Sequence, residues 1–256
     1  MKKRFSKIGI FMDSRKIFSN WHILPKVYYK TTDDEFAIFK TKDNLQIKIR
    51  VKSTDLMALV NVWIRNEYEI DDFSIKDNDT VIDIGGHIGL FSLLVSQKSK
   101  YTSIYSFEPI EDNFNLLKTN LELNNIENVH PFNLAVSNSL EEVDLFLSSD
   151  ESAHSIISKE SKSIKVKSIS LQKIFDENKI DECKLLKLDC EGAEYEIIES
   201  LPSEYLNKIK NMAIEYHLAD SRPDLVENLI AKIKNSGFNV KTREHHDDMG
   251  FLIAKK

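Results

Sequence analysis

Three of the chain's seven glycines, Gly85, Gly86 and Gly89, fall within five residues directly after the apolar run Val81-Ile82-Asp83-Ile84. Glycine reaches φ > 0 and lets other groups approach the backbone, so this strand can turn sharply and open a helix beside a ligand. A strand-to-helix turn without a ligand is the plain alternative, and it leaves Asp83 unexplained. A dinucleotide fingerprint would put glycine where Ile84 stands, and a pyrophosphate gains nothing from the Asp83 carboxylate. The loop therefore suits a cationic, phosphate-free ligand.

S-adenosylmethionine meets that description, having a sulfonium, an α-ammonium group and no phosphate. Asp83 could accept hydrogen bonds from it directly or through water. About twenty residues beyond the loop, at the end of the apolar run Ser103–Phe107, Glu108 could take both ribose hydroxyls. The competing reading of Glu108 is a surface carboxylate at a helix N-terminus, with Pro109 marking the boundary.

Apolar runs alternate with helical periodicity from about residue 79 onward. Strands are expected at 81–84, 103–107, 129–134, 143–147, 164–169, 185–188, 212–216, 238–242 and 251–254, with helices near 90–95, 114–123, 171–177, 193–200 and 223–235. This alternation predicts an α/β chain with a mainly parallel sheet covered on both faces and ligands above the C-terminal strand ends. Ahead of it, Phe36–Phe39 and Leu45–Val51 read as a hairpin around Asp43-Asn44. Ser53 is placed to cap a helix carrying Leu56, Leu59, Val60 and Trp63. Trp21 and Trp63 read as packing residues.

The run Leu185–Leu188 ends at Asp189-Cys190-Glu191-Gly192-Ala193-Glu194, where three carboxylates follow a strand. Glu191 and Glu194 could equally serve the first turn of the next helix. Methyl transfer from a sulfonium is an in-line displacement that needs the acceptor positioned and, for a hydroxyl, deprotonated. Asp189 could orient the cofactor's amino end or the acceptor, and Glu191 or His217 could be the general base. Glu215 and His217 lie two apart on a strand and so share a face. Together with Asp189 they could also bind a divalent metal, but mixed oxygen and nitrogen donors without diagnostic spacing are weak evidence for one, and no metal is assigned. His245-His246-Asp247-Asp248 reads as a turn, and Ser152–Ser155 with His154 as a connection able to reach an acceptor.

Asp83-Ile-Gly-Gly-His-Ile-Gly89, Phe107-Glu-Pro109, Ala135-Val-Ser137 and Lys187-Leu-Asp-Cys-Glu-Gly-Ala-Glu194 together resemble the FkbM family of methyltransferases over roughly residues 60–220. The resemblance implies a class I, Rossmann-like methyltransferase fold: a seven-stranded, mainly parallel sheet with its last strand antiparallel, here preceded by an N-terminal hairpin and helix. It implies methyl transfer usually to oxygen, with Tyr68 of the Glu67-Tyr68 pair near the cofactor. Asp83, Gly85, Gly86, His87 and Gly89 would form the cofactor loop, Glu108 would bind the ribose, Pro109 would also touch the cofactor and Ala135 would lie beside the adenine. Asp189, Glu191 and His217 would be the catalytic candidates, Asp189 also touching the cofactor. Gly86 stands where alanine is common and His87 where asparagine is common, so the hydrogen bonds of position 87 differ from the family's pattern.

The expected organisation is an extension over residues 1–70 that covers the active site and an S-adenosylmethionine-binding domain over 71–256. No run of about 18 apolar residues exists, so no transmembrane segment is expected. With two cysteines close in sequence, the natural setting is a reducing cytoplasm. A net charge of −6 argues against a broad phosphate-binding surface, so the expected acceptor is a small molecule or sugar and not nucleic acid. The rival functions are an NAD-binding oxidoreductase and a non-catalytic S-adenosylmethionine-binding regulator.

Overall fold

The computed structural model describes residues 7–138, 141–146, 163–244 and 248–256. Two helices, α1 (Lys7–Ile17) and α2 (Leu24–Tyr28), precede the hairpin of β1 (Phe36–Lys40) and β2 (Gln46–Arg50). Ser53 Oγ accepts the Asp55 N–H, and α3 (Asp55–Leu59) then widens into a π turn over Val60–Ile64. Leu56, Leu59 and Val60 are buried, and the Trp63 Nε1–H donates to the Leu90 carbonyl at 3.2 Å. The spacing thus built the expected apolar face; α1 and α2 were not anticipated.

Next come β3 (Thr80–Ile84), α4 (Leu90–Ser96), β4 (Ser103–Phe107), α5 (Glu111–Glu122), β5 (Val129–Phe132) and the short β6 (Ala135–Val136). They are followed by β7 (Glu142–Phe146), β8 (Ser163–Ile169), α6 (Leu171–Glu177), β9 (Leu185–Leu188), α7 (Glu194–Ser200) and α8 (Ser203–Lys208). The chain ends with β10 (Asn211–His217), α9 (Pro223–Asn235), β11 (Asn239–Glu244) and β12 (Met249–Lys255).

The main sheet has seven strands in the order β11-β12-β10-β9-β3-β4-β5. Neighbours from β10 to β5 run parallel, whereas β12 is antiparallel to both β10 and β11. This is the class I methyltransferase arrangement. All four residues of β9 and all seven of β10 are buried, as sheets covered on both faces require. Two apolar cores flank the sheet, and one unites it with the N-terminal elements: Phe18, Phe39 and Ile47 share a cluster with Val81 and Leu93.

Of the expected strands, β7 and β8 lie outside the main sheet; they form an antiparallel pair, which joins β6 in a three-stranded sheet. Their sequence explains this: Ser163, Lys165 and Lys167 of β8 alternate along one face and are exposed, which a fully covered sheet could not tolerate.

Asn120 of α5 and Asn124, just beyond its C-terminal end, dock the N-terminal hairpin. The Asn120 side chain accepts the Lys48 N–H at 2.7 Å and donates to the Lys48 and Ile88 carbonyls, while Asn124 accepts from and donates to Gln46 in the same way. The carboxamides thus satisfy an outward edge of β2 as a neighbouring strand would. Asn120 is fully buried, so Asn120→Ala strands backbone groups at both Lys48 and Ile88. It should lower stability by about 3 kcal/mol, read as a shifted urea midpoint; a change under about 0.5 kcal/mol would contradict this docking role.

Candidate active site

The C-terminal ends of β3, β4 and β9 open onto a cavity of about 360 Å³, a size suited to a small ligand. The glycine loop forms its floor. Gly85 has φ +79°, and a Cβ there would lie 1.8 Å from the Asp189 carbonyl oxygen. At Gly86 a Cβ would meet Ser106 Oγ at 2.4 Å. Gly89, at φ +87°, starts α4 against Leu117 of α5. Close packing of the loop on its own sheet and helix therefore demands these glycines, and Gly85 and Gly86 still present bare backbone to the cavity.

Of the residues assigned to a cofactor, Tyr68, Gly85, Gly86 and His87 line the cavity, and so do Glu108, Pro109, Ala135 and Asp189. Gly89 and Asp83 are not among its lining residues. Asp83 is fully buried: Oδ2 accepts from the hydroxyls of Ser92 and Ser106, and Oδ1 lies 3.2 Å from Lys187 Nζ. Its charge reaches the cavity only through that lysine. Lys187 is itself buried, donates to the carbonyls of Ile84 and Gly85, and lies 3.7 Å from Asp189. Burial alone would pull its pKa down, but Asp83 and Asp189 prevail and raise it, so the ammonium persists.

Glu108 closes one end of the cavity. Its carboxylate accepts the N–H groups of His87 (2.8 Å) and Ile110 (2.9 Å), which lock its position while leaving lone pairs for a ligand. Burial raises its pKa. His87 faces the N-terminal segment: its Nε2 lies 3.3 Å from the buried Asp55, whose carboxylate is also gripped by Arg50. The loop histidine therefore ties the cofactor loop to the extension.

The opposite end is acidic. Tyr68 donates its hydroxyl to Asp189 at 2.7 Å, with its ring edge-on to Phe91 and Phe251. Asp189, Glu191, Glu215 and Glu67 all line this end. Burial would raise the Asp189 pKa, but Lys187, His217 and the Tyr68 hydroxyl hold it below the usual carboxylate range. Glu215 is pushed well above that range by burial and by Asp189 and Glu67. Glu191 sits in the left-handed region at φ +53°, with Oε2 3.2 Å from His217 Nε2. Such a conformation at a non-glycine residue is costly and concentrates at functional sites.

His217 stands behind the lining. Both its backbone N–H and its ring Nδ1 meet Glu194 Oε1, at 2.7 and 3.1 Å. Burial lowers the imidazole pKa, but the Glu194 hydrogen bond and the charges of Glu194, Glu191 and Asp189 carry it up to about 10. At neutral pH this imidazole holds its second proton and is poorly suited to accept another.

Glu67, Lys187 and Glu194 were assigned no catalytic or cofactor role from sequence. No local pattern marks Glu67, while the burial of Lys187 and Glu194 between charged partners is a product of sheet pairing. Burial and the Asp189 charge raise the Glu67 pKa to about 7. A carboxyl raised in the folded state stabilises the fold fully below its unfolded pKa near 4.5, and that stabilisation is lost as pH rises through about 7. Glu67→Gln should therefore remove a decline in urea midpoint that the unaltered chain shows between pH 5 and 7; parallel profiles would contradict the burial of this carboxyl.

Residues 147–162, His154 among them, and His245-His246-Asp247 lie outside the described residues. Both cysteines are free thiols. Among the described residues no helix is long and apolar enough to cross a membrane.

Residues 83–240 match the family model described as "Methyltransferase FkbM domain". Methyltransferase 1 of Beauveria bassiana is 26% identical over 225 residues, spanning 76% of this chain and 87% of that protein. Methyltransferase sdnD of Sordaria araneosa is 24% identical over 221 residues, 72% of this chain and 83% of that protein. The solved Precorrin-6y C5,15-methyltransferase of Geobacter metallireducens aligns at 12% identity and a TM-score of 0.48, covering 75% of this chain and 87% of that one.

Proposed function

The chain belongs to the FkbM family of methyltransferases, with S-adenosylmethionine as cofactor, and from this premise we propose that it methylates a hydroxyl of a small molecule or sugar in the cytoplasm. The observation that carries the proposal is the division of the cavity about the glycine loop at its floor: Glu108 beyond β4 on one side, and Asp189, Glu191, Glu215 and Glu67 on the other. Carboxyl groups at both ends suit a cofactor whose sulfonium and ammonium groups leave it with a net positive charge, and the lysine at the floor, Lys187, is engaged with Asp83 and backbone carbonyls. When bound, S-adenosylmethionine supplies a sulfonium methyl group that passes to a nucleophile as the C–S electron pair returns to sulfur.

In this reading Glu108 holds the ribose hydroxyls, Ala135 and Pro109 flank the adenine end, and Tyr68 fixes Asp189. Asp189 orients the reacting groups, and Glu191 takes the hydroxyl proton as the new C–O bond forms. His217, charged at neutral pH, holds Glu191 in its strained conformation. Asp83 supports the loop from beneath through Ser92, Ser106 and Lys187. Residues 1–70 act as the cover: Thr54, Met57, Ala58 and Asn61 form part of the cavity wall. A net charge of −6 favours a small acceptor over nucleic acid.

The test is incubation of purified protein and isotope-labelled donor with fractionated sugars and metabolites, followed by mass-resolved detection. The expected product gains one methyl group on oxygen. A methyl group on nitrogen or carbon would overturn the acceptor class, and binding without any transfer would favour a non-catalytic regulator. Glu108→Gln should weaken S-adenosylhomocysteine binding by about 10- to 100-fold, the cost of losing hydrogen bonds to a charged acceptor.

A further inference from the structure

We propose that Asp189, Glu215 and His217 form a binding site for one divalent cation of the Mn²⁺ type, which would hold the acceptor's oxygen in the cavity; this last role rests on the methyltransferase reading above. The three residues come from the adjacent strand ends of β9 and β10, and one donor atom from each lies within 4.8 Å of the others. A cation about 2.1 Å from each donor spaces its ligands up to about 4 Å apart, so modest side-chain rotation closes the set. Two carboxylate oxygens and one imidazole nitrogen suit Mn²⁺ better than Ca²⁺, which prefers an all-oxygen shell.

A cluster of acids does not by itself make a site. The independent observation is the imidazole. His217 is only 7% exposed, and its Nε2 makes no hydrogen bond in the structure, although Glu191 Oε2 approaches to 3.2 Å and Glu215 Oε1 to 3.9 Å. Its other nitrogen, Nδ1, meets the fully buried Glu194 at 3.1 Å. A carboxylate behind a histidine fixes the ring so that Nε2 points into the cluster, an arrangement that metal-ligating histidines share. Glu194 is in turn anchored by the Gly192 N–H at 2.8 Å. The ring's orientation is thus determined from behind, and on binding the cation takes the place of the Nε2 proton, which leaves to solvent, on the side of the ring that faces Glu191 and Glu215.

Asp189 and Glu215 line the cavity while His217 lies behind them. A cation among the three therefore has its remaining coordination positions directed at the cavity, where an acceptor hydroxyl can enter. The surrounding charge is right: Glu67 and Glu191 add two more carboxylates to this end, and Lys187 lies 3.7 Å from Asp189 on the side of the glycine loop.

Mn²⁺ alone is the probe, titrated into the full chain and followed by electron paramagnetic resonance of the free ion. One ion per chain is expected, with Glu215→Gln and His217→Ala each weakening binding by about 10- to 100-fold while the urea midpoint shows that each variant stays folded. An unchanged free-ion signal with the unaltered chain, or undiminished binding in both variants, would overturn the site. Should either variant lose its fold, paramagnetic broadening of the His217 ring resonances in the unaltered chain decides: broadening supports the site and sharp signals overturn it. S-adenosylhomocysteine binding without Mn²⁺ binding removes the cation site alone; no S-adenosylhomocysteine binding removes the methyltransferase reading whatever Mn²⁺ does.

Discussion

Asp189→Asn should reduce methyl transfer by about 10²- to 10³-fold, mainly in kcat, while the chain stays folded. The magnitude is that of removing one preorganised electrostatic group from a desolvated site. Asp189 receives the Tyr68 hydroxyl at 2.7 Å and lies 3.7 Å from Lys187, so the amide keeps one hydrogen-bond acceptor but removes a negative charge from beside a buried ammonium. Lys187 retains Asp83 at 3.2 Å, and for that reason the fold should survive. Single-turnover kinetics with labelled donor checks the prediction. Turnover within a few-fold of the unaltered chain would remove Asp189 from the chemistry.

Gly85→Ala should be worse for the whole molecule, costing at least about 4 kcal/mol and with it cofactor binding. The added Cβ would stand 1.8 Å from the Asp189 carbonyl oxygen, so strand ends β3 and β9 would have to separate. At φ +79° an alanine is also strained by about 1 kcal/mol wherever it has room. Urea denaturation and S-adenosylhomocysteine titration are the readouts; near-normal stability would show that the loop and the Asp189 segment can part. Both predictions bear on one small region, the contact between the loop and Asp189.

That contact shows what a sequence can and cannot disclose. Periodicity located the strands of the main sheet, because a strand buried on both faces leaves a continuous apolar run such as Leu185–Leu188. It also found β7 and β8 as strands but did not say which sheet they join, since a short strand reads alike in either sheet and only the exposed lysines of β8 mark the difference. The helix α8 was missed, being one short turn-rich element with little periodic signal.

At the site, residues on one strand end or loop could be grouped from spacing alone: Gly85 with Gly86, and Glu215 with His217. Couplings across strands could not. Asp83 was read as meeting the ligand because it precedes the loop; parallel pairing instead gives it two buried partners, Lys187 and Ser106, and Ser92 of α4 adds a third. Likewise Glu194, read as either a helix-turn residue or a site carboxylate, holds His217 from 23 residues away. His87, assigned to the cofactor, spends its ring on Asp55 of the extension, which no pattern near residue 87 announces.

The central claim is that this cavity takes a phosphate-free adenosine cofactor, and calorimetric titration of the full chain with S-adenosylhomocysteine and, separately, NAD tests it most directly. One equivalent of S-adenosylhomocysteine should bind with heat that vanishes in Gly85→Ala, and NAD should give none. Tight binding of NAD with no heat from S-adenosylhomocysteine would contradict the account.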